Sequence, residues 1–257
     1  MFIEALSYLD SDFHELSERE FIIDKQRAGT LLGHFPFLKD NKKFKNIVIK
    51  DAAGKVIGGL IIKITHDNEQ LIGCIGLVVV AKEARGQGYS KLLLKKAIEE
   101  SQKEDMDYLL LWTSLHAFYA QFGFETNEPL TYLEVDEQGE VKDLRKEVIV
   151  DFESQPTYTQ SQGRLICGLT SVRYIHDGSG YIFVGYEGDV ATAADMVSHK
   201  FGSANKPRVI IPSNDPLVPE LQKKQPALIQ HNHNYEMCLT LKKSERAKKV
   251  FDFSQRI

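Results

Sequence analysis

One short stretch constrains this chain more than any other: an apolar strand that runs into a glycine turn and then into a helix. Residues 75–80 (IGLVVV) are apolar throughout, and Arg85-Gly86-Gln87-Gly88-Tyr89-Ser90 follows. Leu93, Leu94, Ala97 and Ile98 then recur at helical spacing among Lys91, Lys95, Lys96 and Glu99. Glycines let a backbone approach a ligand with no Cβ in the way, and the first N–H groups of a helix have no acceptor inside it. Strand, turn and helix together predict an anion site, to which Arg85 adds a forked cation suited to phosphate oxygens. No Gly-Lys-Ser/Thr follows at the spacing of a nucleotide-binding P-loop, and only two glycines fit the dinucleotide fingerprint. The expected ligand carries phosphate without belonging to either of those motifs.

A second stretch narrows the reading. Another apolar run at 108–112 leads to Phe118-Tyr119-Ala120-Gln121-Phe122-Gly123-Phe124. Arg-Gly-x-Gly-x-small after one strand, with Phe-Tyr-x-x-x-Gly-Phe after the next, resembles the GNAT superfamily of N-acetyltransferases over residues 77–124. Two departures are Ser90, where the family usually has Gly or Ala, and residues 112–115, where many members carry an Asn and an Ala ahead of the Tyr. The second departure falls on the acceptor side of the site.

The resemblance implies an α/β fold with a GNAT-type mixed central sheet flanked by helices. It implies acetyl-CoA as co-substrate, with its pyrophosphate on the backbone of Arg85, Gly86, Gln87, Gly88, Tyr89 and Ser90. The pantetheine arm would run beside Val78, Val79 and Val80, where a backbone N–H aimed at the thioester oxygen would stabilise an oxyanion. Tyr119 would serve the departing thiolate. Reference pKa values of about 10 for tyrosine and about 8.5 for a thiol make full proton transfer uphill by about 2 kcal/mol, so a hydrogen bond to the thiolate is the expected role. An amine acceptor must itself lose a proton, at a cost of about 4–5 kcal/mol near neutral pH for a pKa of about 10.4. The strand 72–80 holds no Asp, Glu or His to take it. His116, ahead of the second helix, and His34, in an aromatic loop, are candidates, and the sequence assigns the base to neither. The resemblance also leaves open a catalytically silent acetyl-CoA-binding sensor or interaction module, and an acyltransferase with another acyl-CoA or an oxygen acceptor.

Composition bounds the partners. Net charge is −4 over 257 residues, which argues against nucleic acid, whose backbone demands a surplus of Lys and Arg. The basic clusters Lys42-Lys43-Lys45 and Lys242-Lys243-Arg246-Lys248-Lys249 read as solvated surface. No apolar run is long enough to span a bilayer, and the start is acidic where a signal peptide would be basic, so the expectation is a cytoplasmic protein without membrane partners. Cys74, Cys167 and Cys238 are too few and too scattered for a disulfide framework. His231 and His233 lack a third ligand at convincing spacing, so no metal is expected. The partner expected is an amine-bearing small molecule or peptide, and a homodimer stays open.

At this length two modest domains are expected: a GNAT acetyltransferase domain over 1–153 and a degenerate GNAT-like domain over 154–257. In the first, strands at 2–8, 46–50, 56–64 and 71–80 and a helix over 12–27 capped by Ser11 precede the glycine turn, with residues 34–37 in a loop. Strands at 130–135 and 147–152 close it, and the polar stretch 153–163 reads as a linker. Beyond it, strands at 181–186, 208–211 and 235–241 and helices at 192–200 and 216–223 echo the first half at an offset of roughly a hundred residues, the pattern of an internal duplication. Glu187-Gly188-Asp189 stands where a phosphate turn would lie, and two carboxylates there would repel pyrophosphate. The second segment thus has too few strands for a complete second domain and is expected to cover the acceptor side of the first. A chain ended near Gln155 is expected to keep its cofactor site.

Overall fold

Among the described residues two mixed seven-stranded sheets, each built around a single parallel pair, carry the fold. The computed structural model describes residues 1–67, 69–127, 130–149, 161–176, 180–233 and 236–242. In chain order the first half contains β1 (Phe2–Leu6), α1 (Ser11–Glu18), α2 (Leu31–His34), β2 (Phe44–Lys50), β3 (Val56–Asp67), β4 (Gln70–Val80), α3 (Tyr89–Lys103), β5 (Tyr108–Trp112), α4 (His116–Ala120) and β6 (Glu125–Thr126). Then come β7 (Leu130–Glu134), β8 (Arg145–Ile149), β9 (Ser161–Cys167), β10 (Thr170–His176), β11 (Tyr181–Glu187), α5 (Val190–Val197), β12 (Arg208–Pro212), α6 (Leu217–Lys224), β13 (Ile229–His233) and β14 (Glu236–Thr240).

The first sheet runs β1-β2-β3-β4-β5-β14-β6 and the second β13-β7-β12-β11-β10-β9-β8. Sheet membership follows a different line from the 1–153 and 154–257 division. β7 and β8 belong to the second sheet, while β14 returns to the first and lies between β5 and β6. This exchange overturns two expectations. Among the described residues the second sheet has as many strands as the first, and β9 and β10 occupy a stretch in which the sequence suggested no strand. The linker read at 153–163 lies outside the described residues up to 160, and its last three residues begin β9. A chain ended near Gln155 would lack an interior strand of the first sheet, because β14 pairs with β5 along its whole length. A parallel β5 cannot announce from its own sequence that its other edge is filled from so far downstream.

The N-terminal helix also differs from expectation. Its cap is Asp10, not Ser11: the Asp10 carboxylate accepts from the N–H groups of Asp12 (2.9 Å) and Phe13 (3.2 Å), and Ser11 is already helical. The α-helix stops at Glu18 and passes into a π-helical turn, Arg19–Ile23, rather than continuing to Arg27. Residues 34–37 are not simply loop, since His34 ends α2 and a 3₁₀ turn, Pro36–Lys39, follows. Asp10 is anchored below by Asn46, whose Oδ1 accepts the Asp10 N–H at 3.0 Å, and beside by the Lys50 ammonium at 3.1 Å.

The first sheet separates two apolar layers. On one face Leu109, Leu111, Ile75 and Met237 pack against Leu93, Leu94 and Ala97 of α3. On the other face lie Ile72, Cys74, Tyr108, Leu110 and Cys238, with Trp112 beside them. The alternation of a strand assigns each residue to one face or the other.

Candidate active site

β4 and β5 run parallel, but their ladder covers only Ile72–Tyr108 to Cys74–Leu110 among the described residues. Both strands continue past it, to Val80 and to Trp112, so a wedge opens between them. A bulge in β4 helps to open it. Gly59 pairs with Val79 and Ile61 with Gly76, so three steps on β4 match two on β3. Leu77 takes the left-handed conformation (φ +51°), a costly one for a leucine. The extra residue also re-phases the strand: Leu77 and Val79 pack with Phe13 and Phe37, Val78 packs on the α3 side, and Val80 touches both clusters. The run of three valines gave no hint of this bulge.

The glycine turn lies at the wide end of the wedge. Gly86 and Gly88 have φ of +80° and +79°, and a Cβ built on either would meet nothing within 4 Å. Gly88 is the N-cap of α3, and the first intrahelical bond is Lys91 N–H to Gly88 O at 3.0 Å. The N–H groups of Tyr89 and Ser90 therefore lie ahead of that ladder, at the positive end of a fifteen-residue helix. Such an open, donor-lined cradle fits the diphosphate of a CoA thioester. Tyr89 OH donates to Gln87 Oε1 at 2.7 Å, which stiffens the turn. Arg85 turns away from the cradle: its Nε donates to Val80 O (3.0 Å) and a terminal nitrogen to Glu20 (2.9 Å). Its side chain thus braces the turn against β4 and the π-helical segment.

Tyr119 is 8% exposed and shares one apolar cluster with Leu93 of α3, and Val78, Val80 and Tyr89 pack against the same cluster. Phe118 and Phe124 meet its ring edge-on. Burial alone raises its pKa, so the phenol stays protonated. His116 opens α4 one turn ahead of Tyr119, and its Nε2 is buried with no hydrogen-bond partner among the described residues. His34 Nε2 lies 2.7 Å from Ala28 O. The structure brings Val78, Val80, Tyr89 and Tyr119 to one apolar cluster, and α4 carries both His116 and Tyr119.

Across the sheet from Tyr119 stands a residue that sequence reasoning missed. Glu236 opens β14 opposite Trp112 and is 3% exposed. Its Oε2 accepts the Trp112 indole N–H at 3.0 Å and its Oε1 the Asn127 amide N–H at 2.6 Å. Nearby, burial pushes the Cys74 thiol up to about 12; the Lys63 ammonium pulls it down and the Glu236 carboxylate pushes it up to smaller degrees. Cys74 is thus an inert thiol at neutral pH. Burial in turn lowers the Lys63 pKa. Among the described residues no group of three or more His, Cys, Asp or Glu could hold a metal, and the side chains of His231 and His233 lie outside the description.

With this geometry in view, the likenesses to known proteins fall into place. Residues 43–126 match the acetyltransferase (GNAT) domain family. No curated protein matches the sequence. Among solved structures, a conserved protein of unknown function from Enterococcus faecalis V583 superposes with a TM-score of 0.65 at 13% identity, covering 94% of this chain and 73% of that one. A GCN5-related N-acetyltransferase from Anabaena variabilis ATCC 29413 gives 0.62 at 14% identity, over 94% and 73%. A tandem GNAT protein from the clavulanic acid biosynthesis pathway gives 0.59 at 9% identity, over 95% and 100%. At such identities these structures establish the fold alone. Residues 43–126 thus match the GNAT acetyltransferase domain, and the chain as a whole has a mixed α/β fold that resembles a tandem of two GNAT-like halves.

Proposed function

We propose that the first half transfers an acetyl group from acetyl-CoA directly to an amine. The observation that carries this reading is the wedge between β4 and β5, with an open glycine cradle at its wide end and a protonated Tyr119 beside it. Acetyl-CoA would supply the activated acyl group as a thioester. The backbone from Gly86 to Ser90 would hold its diphosphate, and β4 from Val78 to Val80, free of a ladder to β5, would line the acyl-bearing arm. Tyr119, kept neutral by burial, donates a hydrogen bond to sulfur as its charge grows. Residues 1–153 would hold these catalytic parts, and 154–257 would be a degenerate half. Support for degeneracy comes from α5, whose N-terminus is capped by its own Asp189 carboxylate: Oδ1 accepts from Thr192 N–H at 2.8 Å. That carboxylate fills the place a phosphate would need. A cytoplasmic setting rests on composition, and among the described residues no helix is long and apolar enough to cross a membrane. The test is thiol release from acetyl-CoA across polyamine, amino-acid, aminoglycoside and peptide amines. Turnover with acetyl-CoA and an amine supports the reading; acetyl-CoA binding with no turnover on any amine would favour a silent sensor.

A further inference from the structure

A cleft of about 500 Å³ opens between α5 and the segment that joins β7 to β8, in a part of the protein that acetyl transfer does not use. Its volume falls within the range of about 300–1,000 Å³ usual for small-molecule sites. Thr192 and Asp195, three residues apart on one side of α5, line it together with Ser198 just past the helix. Glu140 and Lys142 of the joining segment line it too, as does Cys167, the last residue of β9. The joining segment is pinned to the end of α5. Gln138 N–H donates to Ser198 O and Lys200 N–H to Gly139 O, each at 2.8 Å, and Val141 N–H donates to His199 Nδ1 at 2.9 Å. The cleft is therefore preformed, and a ligand entering it orders little of the chain.

Half of the polar groups around the cleft are already engaged within the protein. The Asp195 carboxylate pairs with Lys224, the Thr192 hydroxyl donates to Asp189 Oδ1 at 2.7 Å, and the Cys167 thiol donates to Lys142 O at 3.7 Å. Three groups are left over. Ser198 is 4% exposed; its Oγ accepts from Gln225 Nε2 at 3.3 Å, and its own proton has no acceptor among the described residues. The Lys142 ammonium and the Glu140 carboxylate likewise have no side-chain partner among the described residues. A hydroxyl and an ammonium both donate, whereas an ionised carboxylate only accepts. Such a set complements a molecule with a carboxylate at one end and an ammonium at the other.

We infer that this cleft binds a small zwitterion, between a free amino acid and a dipeptide in size. Its carboxylate is taken by the Ser198 hydroxyl and the Lys142 ammonium, and its ammonium by the Glu140 carboxylate. The site belongs to the second sheet and its helix, so it stands independently of the acetyltransfer reading. It gives that half of the fold a ligand of its own.

Cys167 supplies the readout, because it is partly exposed at the cleft while Cys74 and Cys238 are buried. The full-length protein is alkylated with iodoacetamide, and mass spectrometry follows the rate at Cys167. The probes are the proteinogenic amino acids other than cysteine, and glycyl-leucine, each titrated to about 10 mM, which saturates a site of millimolar affinity. At least one should slow alkylation of Cys167 saturably. Acetate and methylammonium chloride, each carrying half of the recognised charge, should not do so over the same range. Lys142 and Glu140 are exposed, so Lys142→Ala and Glu140→Ala should fold. Each should raise the half-saturating concentration about tenfold, the loss of one charge-assisted hydrogen bond. Undiminished alkylation with every probe would overturn the inference. So would equal protection by acetate or methylammonium in the wild-type protein, a result that needs no variant. An unchanged half-saturating concentration in either folded variant would also overturn it.

Discussion

The Trp112 indole donates to the Glu236 carboxylate at 3.0 Å across 124 residues of sequence, and the two residues face each other in one antiparallel ladder. That pairing ties the C-terminal strand into the interior of the first sheet. Met237 and Cys238 beside it are 1% and 4% exposed, and burying side chains of that size stabilises by about 1.5–3 kcal/mol for the larger one. β5 without β14 would expose a row of unpaired backbone groups.

A chain ended near Gln155 is therefore expected to lose the first sheet along with the second. Acetyl-CoA binding should disappear and the protein should aggregate. Calorimetry and gel filtration on the truncated chain check this. A soluble monomer with wild-type acetyl-CoA affinity would mean that β14 is dispensable.

Tyr119→Phe keeps both edge-on ring contacts and removes only the hydroxyl. Acetyl-CoA affinity should hardly change, while turnover falls by about 10²–10⁴-fold, the range of positioned acid catalysis. Burial holds the phenol's pKa above its ordinary value, so deprotonation of Tyr119 should cut activity only above pH of about 10. A basic limb near neutrality that vanishes in the phenylalanine variant would show that burial does not set this pKa.

How much of this was legible in the sequence follows from what is local. β4, the glycine turn, α3, β5 and α4 succeed one another within about fifty residues, and each carries its own signal in apolar period or turn chemistry. Tyr119 could be singled out as a candidate because Phe118, Phe122, Gly123 and Phe124 stand with it in one short motif. The β4 bulge was not legible, because Leu77 in a left-handed conformation is a tertiary compromise that no leucine advertises. β9 begins Ser161-Gln162-Gly163, polar and small, and its strand character comes from pairing with β8 and β10. Glu236 was invisible for the same reason. Its neighbours in sequence say nothing of Trp112, and only the ladder brings them together.

Gly88→Asp tests the cradle. The position has φ of +79° with open space around it, and aspartate tolerates the left-handed region better than most residues, at about 1–2 kcal/mol. The variant should fold, with a modest loss in Tm. Its carboxylate would stand at the start of α3, where the proposed diphosphate site lies, and acetyl-CoA binding should drop below detection in calorimetry. Undiminished affinity in the folded variant would remove the diphosphate from this turn.

On the acetyl-CoA reading, Glu20 holds the one guanidinium that could otherwise swing to the diphosphate. Arg85 donates to Glu20 at 2.9 Å, and Lys82 reinforces the same segment by bonding Asp24 at 2.7 Å. Arg85 is 52% exposed, so its pair with Glu20 contributes at most about 1 kcal/mol. Glu20→Gln weakens that hold and releases the fork toward the turn it already braces. Acetyl-CoA affinity should rise, by no more than about fivefold given the strength of the pair, and the gain should shrink as salt screens the phosphate contact. Arg85→Ala in the same titration should lower affinity and abolish the effect of Glu20→Gln, the mark of two residues acting through one contact. If Glu20→Gln leaves affinity unchanged at low salt, Arg85 is a brace only and the backbone of the glycine turn holds the anion unaided.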